Sequence, residues 1–442
     1  MGAKSGDICA ARLRAMSMRR PGGLGWLQPG LHIKRWLGLA GISVFALALG
    51  AAYALRNFYE KGFRVPSFVS VLTLAVMPAW VRALVFAVLG AGLLVYSLRQ
   101  LSRAMLVPFL KGDEDLADVY YRHRTITKGP RLVALGGGTG LSALLRGLKG
   151  YTGNLTAIVT VADDGGSSGK LREQYRILPP GDFRQCLTAL AETEPLMTEL
   201  FQHRFTEGSL DGHAFGNLFI MAMAEITGDF EHALRESGKV LAVRGTILPS
   251  TVQDVTLVAE LVDGQEAVGE SRIPLSMMPI RHVYLEPRHA LINPEAEQSI
   301  LDAELITVGP GSLYTSILPN LLVEGMISTL KKAKAPKVYI CNVATQRGET
   351  DGFTVADHLE ALEQHVGGDV FDYVLVNSNL NFALPPSALA AGAKVVTFDR
   401  QKVLQHGVRV VMADVVDEAL STHHNPDKLA RAVMKQVFKK GV

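Results

Sequence analysis

The sequence predicts a doubly wound α/β domain, a mainly parallel Rossmann-like sheet with an inserted antiparallel subregion, preceded by two transmembrane helices. Three observations carry this prediction. Short apolar runs of strand type end repeatedly in glycine-rich turns that open onto helix-spaced apolar residues. Hydrophobic content reaches 48% in a chain of 442 residues, and the surplus is concentrated before residue 110. Between residues 240 and 290, shorter runs such as Val255 to Val262 and His282 to Leu285 are separated by Asp263-Gly264 and prolines, the mark of an antiparallel insertion.

Residues 1–110 read as a basic leader and membrane anchor, 111–130 as a polar tether, and 131–442 as the ligand-binding domain. Trp36 to Leu55 is uncharged and has about the twenty residues that a helix needs to cross the hydrocarbon layer. The second apolar stretch, Val65 to Leu98, contains Pro78 and Arg82, so its span is expected over 80–98. Arg82 would then snorkel towards an interface, with 66–79 interfacial or re-entrant. Lys4, Arg12, Arg14, Arg19, Arg20, Lys34 and Arg35 precede the first span, and Arg99, Arg103 and Lys111 follow the second. Three basic residues lie between (Arg56, Lys61, Arg64), against seven before the first span, and both termini are expected inside. The net charge of +3 gives no nucleic-acid footprint. Cys9, Cys186 and Cys341 lie too far apart in sequence for a zinc-type spacing or a disulfide framework.

The domain begins with a strand, Arg131 to Leu135, that runs into Gly136-Gly-Gly-Thr-Gly140. Leu141, Leu144, Leu145 and Leu148 then recur at helical spacing. Free backbone N–H groups at a helix start attract anions, and glycines let a phosphate oxygen come close; Thr139 adds a hydroxyl donor. Read from Gly138, the string fits G-x-G-x-x-G/A, the dinucleotide pattern, with Asp163 at the end of the next strand. A tight turn that merely needs glycine would leave the same string. Strand Leu155 to Val161 then meets Asp163-Asp-Gly-Gly-Ser-Ser-Gly169. Asp163 and Asp164 can receive a ribose hydroxyl or hold Mg²⁺, while Gly165, Gly166, Ser167 and Ser168 form a second phosphate cradle; plain turn chemistry is the alternative.

Further along, Asp182 is the expected N-cap of a helix that follows Leu178-Pro-Pro-Gly, and Arg184 on its first turn could face an anion. His213 is either structural or part of the site, and Asn217 a cap or a ligand donor. Ala303 to Val308 is a buried strand ending in Gly309-Pro-Gly-Ser-Leu-Tyr-Thr-Ser316, a third loop in which Gly309, Gly311 and Ser312 are candidates. Strands are also expected at Lys337 to Val343, Tyr373 to Asn377 and Lys394 to Phe398, with Arg347, Glu349 and Asp351 closing the cleft.

The segments GGGTGLSALLRGLK, TVADDGGSSGKLR, ILPPGDFRQCL, GPGSLYTSILPNLL and CNVATQRGETDG resemble the YvcK-type gluconeogenesis factors, a family itself similar to 2-phospho-L-lactate transferases (CofD-like). The resemblance spans roughly 130 to 440. It implies a cytoplasmic bacterial protein needed for cell shape and peptidoglycan synthesis on non-glycolytic carbon sources. Such a protein recognises a UDP-sugar such as UDP-N-acetylglucosamine and has no established reaction. Carried onto this sequence, Gly137, Gly138 and Thr139 would face phosphate, Asp163 or Asp164 would be the strand-end aspartate, and Gly311 and Ser312 would belong to the third loop. The amino-terminal spans depart from the family pattern and tie the domain to the inner membrane. The expected partners are wall-synthesis proteins and a second copy of the chain, with no nucleic acid. The leading expectation is therefore a UDP-sugar-binding regulator. Its rival is a Mg²⁺-dependent transferase; NAD chemistry has the glycine fingerprint but no placed catalytic acid.

Overall fold

The computed structural model describes residues 33–58, 77–106, 126, 129–192 and 195–438, and it divides into two compact units, Met1–Tyr121 and Arg122–Val442. In the first unit, helices α1 (Ile33–Phe58) and α2 (Ala79–Leu106) pack side by side. Leu47 sits against Gly90, and the Tyr53 and Phe86 rings stack at 6.2 Å. Arg82 lies over the Tyr53 ring at 5.3 Å. Two spans were expected. Among the described residues one stretch, Trp80–Gln100, is long and apolar enough to cross a bilayer; α1 offers the shorter Gly38–Tyr53. The leader, most of the tether and residues 66–76 of the segment expected to be interfacial lie outside the described residues.

The second unit is built on a seven-stranded sheet with the order β10-β9-β8-β7-β1-β2-β3. Its strands are β1 (Leu132–Gly136), β2 (Leu155–Val159), β3 (Thr246–Pro249), β7 (Leu305–Val308), β8 (Lys337–Ile340), β9 (Tyr373–Asn377) and β10 (Arg409–Ala413). Every pairing in it is parallel. Helices cover both faces, which is why β1, β7 and β9 are apolar almost throughout rather than alternating. From β1 the chain winds outward through β2 to β3, then returns to lay β7 on the other side of β1 and winds outward again to β10. The winding therefore reverses between β1 and β7.

The expected antiparallel insertion is present as a three-stranded sheet, β5-β4-β6, from β4 (Thr256–Leu261), β5 (Glu266–Val268) and β6 (Ile280–Glu286). One expected strand is not in the main sheet. Lys394 to Phe398 makes a single antiparallel bridge, Val395 with Ala344, and its amides are taken up by the segment after β8: Val396 N–H reaches Val343 O at 3.1 Å. Val396 is buried by that loop cover, so its apolar character mimicked a strand. The edge position beside β9 belongs instead to Arg409–Ala413, whose exposed Met412 and mixed burial gave no buried-strand signal.

Helix α3 (Gly138–Leu148) leaves β1 with its first turn pressed against the loop after β7. A Cβ on Gly140 would stand 2.4 Å from the Pro310 carbonyl oxygen and 3.0 Å from Gly311 Cα. No side chain fits there, and both neighbours are backbone. Gly140→Ala should accordingly lower the unfolding free energy of the domain by about 1–3 kcal/mol, seen as a lower midpoint in urea denaturation with an unchanged slope.

Candidate functional site: a cleft at the reversal of winding

At the carboxyl ends of β1 and β7 lies a cleft of about 610 Å³. Open α/β sheets bind ligands at such a point because the loops on either side diverge and leave a crevice. The first loop contributes Gly137, Gly138, Thr139 and Gly140, and the third contributes Pro310, Gly311 and Ser312. Gly138 has a φ of +57°, which turns its amide out of the strand direction at the start of α3. Gly137 is hemmed in: a Cβ there would lie 2.6 Å from the Asp182 carboxylate and 2.8 Å from the Thr160 methyl.

The third loop is held by side chains that imitate backbone pairing. Asn342 accepts from Gly311 N–H at 3.2 Å and donates to Gly311 O at 2.8 Å, while Gln346 donates to Ser312 Oγ at 2.6 Å. Asn320 donates to Gly136 O at 2.9 Å and Ser316 O at 2.8 Å, tying the first loop to the third. Asn342 and Gln346 also line the cleft. Both sit in CNVATQRGETDG, yet sequence reasoning chose its charged residues instead. Arg347 is exposed, Glu349 is buried behind the third loop with Thr315 donating to it, and Asp351 accepts from Gly348 N–H; none of these lines the cleft.

The second loop is split. Asp163 lines the cleft, accepts from Gly165 N–H at 2.9 Å and is bonded by Ser168. Asp164 turns the other way and accepts from Ser271 N–H of the insert at 2.8 Å. Gly165, Gly166, Ser167 and Ser168 open helix α4 (Gly166–Tyr175) behind the cleft and do not line it as a phosphate cradle. Ser167 Oγ lies 3.1 Å from His213 Nδ1 and accepts from Asn217 Nδ2 at 3.1 Å; Asn217 in turn accepts from Arg184 Nε at 2.9 Å. Arg184 also donates to Gln202. Arg184, His213 and Asn217 are therefore buried partners in one polar network and do not face an anion in the cleft. Burial forces such pairing, since an unpaired guanidinium inside the fold would be far costlier. Gly309, at φ +85°, turns the chain below the cleft without lining it.

Asp182 is placed by helix α5 (Pro180–Leu190), but not as its cap. Pro179 holds the cap position with no side-chain bond, and Asp182 reaches back to accept from Gly138 N–H. Prolines at the helix start supply the stop that an aspartate cap would otherwise provide. Burial, then the charge of Asp163, pushes the Asp182 carboxyl up to about 7. Burial likewise raises Asp163, against the pull of Gly165 N–H and Ser168. From the insert comes Glu270, which sequence reasoning missed because it sits in an unremarkable turn, Gly269-Glu-Ser. Burial, then the neighbouring Asp163 and Asp182, pushes Glu270 up to about 8.

Among the described residues no lysine or arginine lines the cleft, and no group of three or more His, Cys, Asp or Glu is arranged to hold a metal. The pair expected to hold Mg²⁺ is separated, because Asp164 belongs to the insert contact. Asp163 and Asp182 remain as hard oxygen donors facing the same space, and that donor chemistry suits Mg²⁺.

These features define the class: a doubly wound α/β protein whose strand-end loops build a cleft at the switch point of the sheet. Residues 132–416 match the family model described as 2-phospho-L-lactate transferase CofD. The chain is 50% identical over 289 residues to the gluconeogenesis factor of Bacillus subtilis (strain 168), covering 65% of this chain and 91% of that one. It is 44% identical over 418 residues to a "Putative gluconeogenesis factor" of Nostoc sp., covering 93% and 91%, so that relative matches much of the amino-terminal unit as well. A crystal structure of a UPF0052-family protein from Bacillus halodurans superposes with a TM-score of 0.66 at 46% identity, over 70% of this chain and 99% of that one. The chain belongs to the gluconeogenesis-factor family, which is related to the CofD transferases.

The raised Asp182 carboxyl has a defined sign. The folded protein holds a proton there that the unfolded chain releases near pH 3.8, so this contribution to stability is complete below that value and is lost as pH rises through about 7. Asp182→Asn keeps an acceptor for Gly138 N–H without the charge. It should stabilise the domain by about 2 kcal/mol at alkaline pH and by little under acid conditions, in paired thermal or urea unfolding series.

Proposed function

We propose that the cleft binds a UDP-sugar of the UDP-N-acetylglucosamine type and that the protein acts as a regulator of carbon metabolism, peptidoglycan synthesis and cell shape. One observation carries this reading: the first and third glycine loops meet backbone to backbone across the switch point, leaving N–H groups and the hydroxyls of Thr139 and Ser312 around one space. Such a surface suits a diphosphate, whose oxygens are met by short fixed donors rather than by long cations. A volume of about 610 Å³ suits a ligand of nucleotide-sugar size. The name shared by the relatives, gluconeogenesis factor, supports the metabolic side of the proposal. The apolar helix 79–106 supports a domain held at the inner membrane, near partners in wall synthesis and further copies of the chain; placing both termini inside requires that the shorter apolar stretch of α1 cross as well.

A second reading, a Mg²⁺-dependent transferase acting on a nucleotide-diphosphate substrate, is favoured by one feature. The cleft brings carboxylates, and no lysine or arginine among the described residues, to the place where phosphate charge would gather. Mg²⁺ bound there would offset phosphate charge, held by Asp163 and Asp182; Thr139 and the loop amides would orient the phosphates.

The test is calorimetric titration of the full-length chain with UDP-N-acetylglucosamine, with and without Mg²⁺, followed by product analysis after hours of incubation. Saturable binding without turnover supports the regulator, Mg²⁺-dependent release of a uridine nucleotide supports the transferase, and no binding overturns the UDP-sugar reading. Thr139 is exposed at the cleft, so Thr139→Val should leave folding intact and weaken binding about fivefold to tenfold, the worth of one hydroxyl donor to a charged oxygen. Unchanged affinity in that variant would mean that the first loop does not hold the phosphates.

A further inference from the structure

The insertion contributes Glu270 to the wall of the cleft. The same turn after β5 carries Ser271 onto Asp164. The insertion is also fixed at a second point, distant in sequence. Val283, buried in β6, donates its N–H to His365 Nε2 at 3.0 Å. His365 is near the end of helix α6 (Val355–Val366) of the main domain, and its Nδ1 lies 2.6 Å from the Ala361 carbonyl oxygen. A carbonyl cannot donate, so Nδ1 carries the ring proton; Nε2 must then be a bare acceptor, and only the neutral imidazole satisfies both contacts.

Three further groups bear on this ring. His282, the neighbour of Val283 on β6, stacks on it with centroids 4.4 Å apart and planes 5° apart. Tyr314, in the turn that follows the third glycine loop, meets it edge-on at 5.8 Å. Glu349 accepts from the Tyr314 N–H behind that contact. On the insert side, Glu260 and Arg288 act on His282 with opposite sign. Burial lowers the pKa of both histidines, and each stacked ring would feel the other's charge.

We propose that neutral His365 is a positioning residue that latches the inserted sheet onto the main domain, and that its protonation releases this wall of the cleft. A proton on Nε2 would point one donor at another, Val283 N–H, and would stack a cation on His282. The bond that holds β6 to α6 would be lost, and with it the support under Tyr314 and the third loop. The sign follows from the lowered value: the latch is complete above the ordinary histidine value of about 6.5 and is lost as pH falls through the lower folded one. The inference concerns the wall of the cleft and does not depend on which ligand the cleft takes.

Backbone hydrogen exchange on the full-length chain tests it, comparing amides of residues 282–285 with those of 305–308 in β7, corrected for intrinsic rates. Between about pH 7.5 and about pH 5.5, protection at 282–285 should fall severalfold, up to about tenfold, relative to β7. His365→Gln retains an acceptor and cannot titrate, so its protection ratio should stay flat over that range. An equal acid loss in His365→Gln, or no loss in the unmodified chain, overturns the proposal. His282→Phe, which keeps a flat ring without its charge, provides an independent check should His365→Gln fold poorly: the loss should move to higher pH, and an unmoved midpoint would also overturn the latch.

Discussion

Gly140 and the Pro310 carbonyl lie so close that no side chain separates the loop after β1 from the loop after β7, and the rest of the site depends on that contact. It joins the two halves of a sheet that winds in opposite directions from its middle. Were the loops further apart, the crevice at the reversal would open to solvent and the amides at the start of α3 would face water. Because they touch, free donors at one helix start and a constrained Gly-Pro-Gly turn share one enclosed space.

Such a space is unstable without braces, since loops at strand ends have few backbone partners of their own. Asn342 and Asn320 supply them, each bonding to loop backbone from a buried or half-buried position. Under the second loop, Ser167, Asn217, Arg184 and Gln202 form a continuous set of bonds that holds the start of α4 and the aspartates beyond it. Polar residues in this domain thus serve mainly to fix backbone geometry. The contacts left for a ligand are backbone amides, hydroxyls and carboxyls whose affinity for protons is raised by burial.

The alternation of strand, glycine turn and helix was legible because each has a local cause: apolar runs for buried parallel strands, glycine for close approach, leucines at helical spacing. The insertion was legible from its turn residues. Lys394 to Phe398 misled for the opposite reason, since burial under a loop selects the same apolar residues as burial in a sheet. Of the candidates, the first-loop glycines, Asp163, Asp182, Gly311 and Ser312 line the cleft, whereas Gly165, Gly166, Gly309 and the charged Asp164 and Arg184 do not. Arg184 and Asp164 looked like ligands because their charge was visible in sequence, but the groups that satisfy that charge, Asn217 and Gln202 for one and Ser271 for the other, are distant in the chain.

By itself, then, the sequence determined the strands of the sheet core, the three strand-end loops and an apolar amino-terminal region, because those follow from local periodicity and from the conformational freedom of glycine. Only the tertiary structure decided which loops converge, that Asp182 and Glu270 join Asp163 in the cleft while Asp164 does not, and that His365 meets Val283. These pairings span up to more than a hundred residues of chain. What a buried polar side chain does depends on the partner that folding brings to it, and no local pattern encodes that partner.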